Sequence, residues 1–173
     1  RCASNLEHDH VALQNMQDVN SIAFGSVLSQ LSPHVALTLR PAVRFVRSVY
    51  EDAAALVRRR FRGEPFLAIH WRRTDCLVAR STQPGVLQSA ADVIAHSRRA
   101  MEARRIERVY LATDSADERE VQQVVDALGA VRHGDAASDL LGRARLANVE
   151  IAICAMADFF LGTRTSSFTL AIM

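Results

Sequence analysis

The chain has 173 residues, the size of one domain with a sizeable core. Its 49% apolar and 23% charged content is ordinary for a globular protein, and a net charge of +2 is too balanced to suggest a nucleic-acid partner. All 21 basic residues are arginine, so chemistry that needs a lysine amine is excluded, from a Walker-A lysine to a Schiff base.

Arginine remains well suited to anions, because its planar fork matches phosphate and carboxylate. The three cysteines, Cys2, Cys76 and Cys154, are an odd number and too few for a disulfide framework. The uncharged run 19–39 is long enough to span a bilayer, but Asn20, Gln30, Pro33, His34 and several serines argue against a membrane helix. The first residue is Arg1, which suggests a processed chain or a piece of a longer one.

Residues 1–20 are polar and weakly patterned and read as a loop. Residues 21–31 suit a short helix that stops at Ser32-Pro33. A longer helix is expected from Pro41, with Val43, Val46, Val49, Ala53, Leu56 and Val57 at helical spacing. Gly63 is its expected C-cap, after three arginines that suit a helix C-terminus. The apolar run 66–71 reads as a buried strand, and 87–104 as an amphipathic helix. A second buried strand is expected at 109–113. A helix to Leu128 should follow, opened by a capping box at Ser115 and Glu118 and closed by Gly129. Residues 130–133 suit a short third strand, 144–156 an apolar helix and 158–162 a further strand, with a last helix from Thr165. Strands alternating with helices imply an α/β fold with a Rossmann-like parallel sheet and helices on both faces. In such sheets ligands bind beyond the carboxyl ends of the strands.

Three strand ends carry polar groups. After the first come His70, Arg72, Arg73, Thr74 and Asp75. In extended chain His70 and Arg72 share a face and Arg73 points away. A histidine and an arginine converging there suit a phosphate or carboxylate, although an arginine–Asp75 turn pair is the simpler use. After the second come Thr113, Asp114 and Ser115. There Asp114 can hold a ribose or an arginine, or Ser115 and Asp114 can simply serve the helix N-terminus. After the last strand, Gly162, Thr163, Arg164, Thr165, Ser166, Ser167 and Phe168 open a helix with more donors than a cap needs. Glu150 is nearly alone as a charge on an apolar helix, so it pairs with an arginine or faces a ligand. No GxG occurs, so the dinucleotide fingerprint is absent. His8 and His10 in a polar stretch read as solvated, and Cys154 as core.

The segments FLAIHWRRTDC (66–76), VYLATDS (109–115) and VEIAICAMADFFLGTRTSSFTLAI (149–172), in that order, resemble the GDP-fucose protein O-fucosyltransferase family. The resemblance covers about residues 35–173. It implies the C-terminal, GDP-sugar-binding half of a GT-B enzyme, with 1–34 as the remnant of another region. The implied activity is inverting transfer of fucose from GDP-fucose to a serine or threonine hydroxyl, without an essential metal. His70 and Arg72 match the pair that meets the donor diphosphate, and Arg72 would be the catalytic residue, stabilising charge on departing GDP. Arg73 and Asp75 match the same block. Glu150 matches an acidic position that contacts the nucleotide, and Ser166, Ser167 and Phe168 match a block at the diphosphate. The family's N-terminal half, with its acceptor loop and any general base, is not recognisable, so a fragment is expected. The implied partners are GDP-fucose, a protein or glycan acceptor and that N-terminal half. The implied location is the endoplasmic reticulum or Golgi lumen. A fucosyltransferase acting on glycans and a catalytically silent nucleotide-binding module are the alternatives.

Overall fold

The strand Phe66–Trp71 is buried at all six positions, as befits an apolar run with no polar face. In the computed structural model the described residues are 44–74, 87–133, 140–163 and 166–172. In chain order they form α1 (Arg47–Phe61), β1 (Phe66–Trp71), α2 (Ala90–Arg104), β2 (Arg108–Thr113), α3 (Glu118–Leu128), α4 (Leu140–Ala155), β3 (Phe159–Leu161) and α5 (Ser167–Ile172). The sheet order is β2-β1-β3, with both pairings parallel, as the strand–helix alternation predicts.

Strand alternation divides the core in two. Phe66 and Ala68 of β1, with Tyr110 and Ala112 of β2, pack with Val49, Ala53 and Leu56 of α1 and Val149, Ala152 and Ile153 of α4. Leu67, Ile69 and Trp71, with Val109 and Leu111, pack with Val93 of α2 and Val121 and Val124 of α3. Helices therefore cover both faces. The parity assigns His70 to the α1/α4 face and Trp71 to the α2/α3 face.

Element boundaries differ from the sequence expectation in instructive places. Helix α1 begins at Arg47, because Val46 is extended (ψ 149°) and serves as N-cap. It is capped by Arg62 in the left-handed region (φ 54°), one residue before the expected Gly63. Helix α3 starts later than the Ser115 capping box implied. Its N-cap is Asp117, whose carboxylate accepts the N–H groups of Arg119 and Glu120. Ser115 instead accepts the Asp117 N–H at 3.3 Å. The capping box in the described residues is at Ser89 and Asp92, opening α2. Gly129 closes α3 as expected, at φ 59°. The expected strand at 130–133 is a single bridge: Val131 pairs with Tyr110, held by hydrogen bonds of 2.9 and 2.8 Å to Leu111 N and Val109 O. Helix α4 begins four residues before 144, at Leu140.

No helix among the described residues is long and apolar enough to cross a membrane. The helix expected at 21–31, the loop at 1–20 and the uncharged run 19–39 lie outside those residues. The cap assignment is directly testable. Asp117→Ala is expected to lower unfolding free energy by about 1 kcal/mol, read by urea titration. Ser115→Ala should cost less than half of that, and the reverse ranking would restore Ser115 as the cap.

Candidate functional site

The carboxyl end of β1 is where a fully buried strand becomes polar. His70 is only 4% exposed, and its ring is held from two sides by α5. The Phe168 ring stacks on it at 4.0 Å between centroids and 13° between planes. His70 Nδ1 lies 2.9 Å from Thr169 Oγ1. Glycine at 162 makes this approach possible, since a Cβ there would overlap the Thr169 side chain and crowd Phe160.

Thr163 carries the β1–β3 pairing past the last strand residue. Its hydroxyl donates to His70 O at 2.8 Å and accepts the Arg72 N–H at 2.9 Å. A buried side chain thus replaces the backbone partner that β3, only three residues long, does not provide. On the other side Thr113 Oγ1 donates to Trp71 O at 2.7 Å.

Asp114, just past β2, receives both arginines. One carboxylate oxygen accepts the Arg73 N–H at 2.7 Å, and the other pairs with Arg72 Nε at 3.2 Å. Of the three roles weighed from sequence, ribose contact, arginine partner and helix N-terminus, the structure shows the arginine contacts. The guanidinium of Arg73 turns to the opposite side, as strand parity predicts. It is bound at both Glu120 oxygens, through Nε at 3.0 Å and Nη2 at 2.5 Å. Its third contact is Gln88 O at 3.3 Å, which also accepts Trp71 Nε1 at 3.1 Å.

Glu150 is half-buried on α4 and meets Tyr110 rather than this strand-end group. The Tyr110 hydroxyl donates to it at 3.3 Å. Burial raises the Glu150 carboxyl to about 7, against the lowering effects of the Tyr110 hydrogen bond and the Arg132 charge. Burial, and then the Glu150 charge, push the Tyr110 hydroxyl well above its ordinary value. Beside α4 is a cleft of about 650 Å³ lined by Arg59, Arg60, Arg132, His133 and Arg145, with Asp52 as its carboxylate. That Asp52 pairs with Arg145 at 2.5 Å.

The structure therefore brings His70, Phe168, Thr163 and the unforeseen Thr169 into one set of contacts, to which Arg72 is tied by its N–H. Arg73 joins it through its backbone, while its side chain belongs to Glu120. Ser166 is buried and its N–H donates to Thr163 O at 3.3 Å. Ser167 is the first residue of α5. Asp75, Cys76, Arg164, His8 and His10 lie outside the described residues. Cys154 is buried as expected, and burial pushes its thiol up.

Two outcomes follow from this geometry. Gly162→Ala should destabilise the fold by roughly 1–3 kcal/mol through overpacking against Thr169, measured by thermal or urea unfolding; an unchanged midpoint would contradict the close approach. Glu150 binds a proton in the folded chain between its ordinary value near 4.5 and about 7, where the unfolded chain has lost it. Its contribution to stability is thus largest at or below that ordinary value and declines as pH rises to about 7. Glu150→Gln should flatten stability against pH across that window, as read by denaturant titrations at stepped pH.

Comparison with known proteins gives the family and the fold. The family model described as "GDP-fucose protein O-fucosyltransferase" matches residues 1–173. The chain is 32% identical over 116 residues to GDP-fucose protein O-fucosyltransferase 2 of Caenorhabditis elegans, covering 64% of this chain and 26% of that protein. Among solved structures, POFUT1 in complex with GDP-fucose aligns at TM-score 0.57 and 16% identity, over 86% of this chain and 45% of that one. NodZ alpha-1,6-fucosyltransferase soaked with GDP-fucose aligns at TM-score 0.59 and 17% identity, over 82% and 46%. These structures share the α/β fold, and the chain spans just under half their length. Its three motif segments lie within the family match, at the ends of neighbouring parallel strands, and the chain belongs to the GDP-fucose protein O-fucosyltransferase family.

Proposed function

We propose that this chain is the donor-binding half of an inverting fucosyltransferase that moves fucose from GDP-fucose to a serine or threonine hydroxyl of a protein. The observation that carries the proposal is the position of the His70–Phe168 stack and of Arg72 at the carboxyl end of β1, the usual ligand position in such sheets. The family match supports GDP-fucose, a guanosine diphosphate carrying fucose, as the ligand.

In this reading Arg72 is the catalytic residue. Its Nε pairs with Asp114, which holds the guanidinium at the carboxyl end of β1, where its planar fork suits a phosphate. Charge grows on the β-phosphate as the bond to fucose breaks, and a pre-oriented cation lowers the energy of that state. His70, held in place by Phe168 and Thr169, contributes a ring nitrogen to diphosphate binding. Ser166, Ser167 and Phe168 stand along the diphosphate, and Asp75 completes the block that begins at His70. Glu150 reads the nucleoside end. An ionised carboxylate accepts hydrogen bonds from guanine or from sugar hydroxyls, and guanine's paired donors would favour that form despite burial. Acceptor binding and removal of the acceptor proton belong to the other half of such an enzyme. Its expected compartment is the lumen of the secretory pathway. The NodZ likeness keeps a glycan acceptor as the second reading.

Calorimetry of the intact protein should show GDP binding that Arg72→Ala weakens by at least about tenfold. Arg72→Lys should also reduce transfer, since an ammonium cannot hold Asp114 and a phosphate in one plane. Transfer assays offering a serine/threonine peptide and a chitooligosaccharide decide the acceptor. No GDP binding, or full transfer by Arg72→Lys, would sink the assignment.

A further inference from the structure

We propose that Glu120 is a positioning residue for the diphosphate, acting on Arg72 through its neighbour Arg73; the proposal rests on the donor-site reading above. Arg72 and Arg73 are adjacent in sequence yet differently held. Glu120 grips the Arg73 guanidinium at Nε and Nη2, an in-plane pairing with both carboxylate oxygens. The side chains of Arg73 and Glu120 are 13% and 20% exposed, so this pair is better shielded than the Arg72–Asp114 pair at 34% and 28%. Gln88 O and the Trp71 ring, 5.3 Å from the guanidinium carbon, complete the seat.

This clamp sets the chain direction where β1 ends. With Arg73 fixed on the α2/α3 side, the peptide between the two arginines has one orientation, and Arg72 must leave on the other side. Asp114 then binds the Arg73 N–H and Arg72 Nε with its two oxygens. If Arg73 is released, the Asp114 contact to its N–H loosens, and the Asp114 contact to Arg72 Nε loosens with it. The effect belongs at the β-phosphate, where Arg72 acts, and not at the nucleoside.

The test compares GDP with GMP, which lacks the β-phosphate, by calorimetry on the intact protein. Glu120→Gln should weaken GDP by roughly tenfold while GMP changes less than about twofold. Glu118→Gln removes the same charge from the same helical turn, where Glu118 pairs with Arg132, and should leave both affinities unchanged. If Glu120→Gln does not fold, Arg73→Gln/Glu120→Gln leaves no half-buried charge behind and should show the same selective loss. A variant that melts earlier but binds GDP and GMP as the parent does, or loses both alike, would reduce Glu120 to a structural role and overturn the proposal. A parent protein that binds neither nucleotide would overturn the donor-site reading, and this proposal with it.

Discussion

The full burial of β1 is the constraint on which the rest depends. A strand covered on both faces and both edges has no place for a polar side chain until its neighbours end. β2 accompanies it to Trp71, whereas β3 stops opposite Ile69. Polar residues therefore emerge within the four positions 70–73. Each backbone group freed on the β3 side needs a new partner. Thr163 supplies it for His70 O and the Arg72 N–H, so the site grows out of a ladder that finishes unevenly.

Strand parity then decides what each emerging residue does. His70 falls on the face covered by α1, α4 and α5, and is stacked and hydrogen-bonded there. Trp71 falls on the other face and anchors to Gln88 O. Arg73 continues on that second face and finds Glu120. A one-residue slip in register would place the tryptophan against Phe168 and the histidine in the apolar α2/α3 core. The hydrophobic pattern of β1 and the position of the ligand groups are thus one constraint.

This explains what was legible in the sequence. The order of strands and helices, the parallel sheet and the opposite directions of Arg72 and Arg73 follow from local apolar runs and a period of two. Helix ends were less legible, because capping depends on which of several suitable residues reaches the free N–H groups. Ser115 and Asp117 both have the chemistry, and two hydrogen bonds from the first turn select Asp117. The bridge at Val131 could not be distinguished from a strand, since four short residues carry little pattern. Glu120 and Thr169 were not singled out, and Thr163 stood only as one hydroxyl of the cluster after the last strand. Glu120 looks like any acid near a helix N-terminus, and the two threonines look like loop and helix residues. Their partners are 47, 91 and 99 residues away, in contacts that only the folded sheet makes.

The absence of lysine also acquires a narrower meaning. Across the exposed helix faces, arginine and lysine are nearly equivalent as solvated charge, and the composition there says little about function. At position 73 they are not equivalent. The side chain meets two oxygens of one carboxylate, a backbone carbonyl and an aromatic ring, a set that fits a planar fork. An ammonium could satisfy some of these acceptors, but it could not set a plane. The same holds at 72, where Nε is spent on Asp114. Arg108, Arg132 and Arg145 have carboxylate partners too, and what distinguishes Arg72 and Arg73 is that theirs hold them where β1 ends. The pair Asp114 and Glu120, one after β2 and one in the first turn of α3, is what turns arginine-rich composition into directed chemistry.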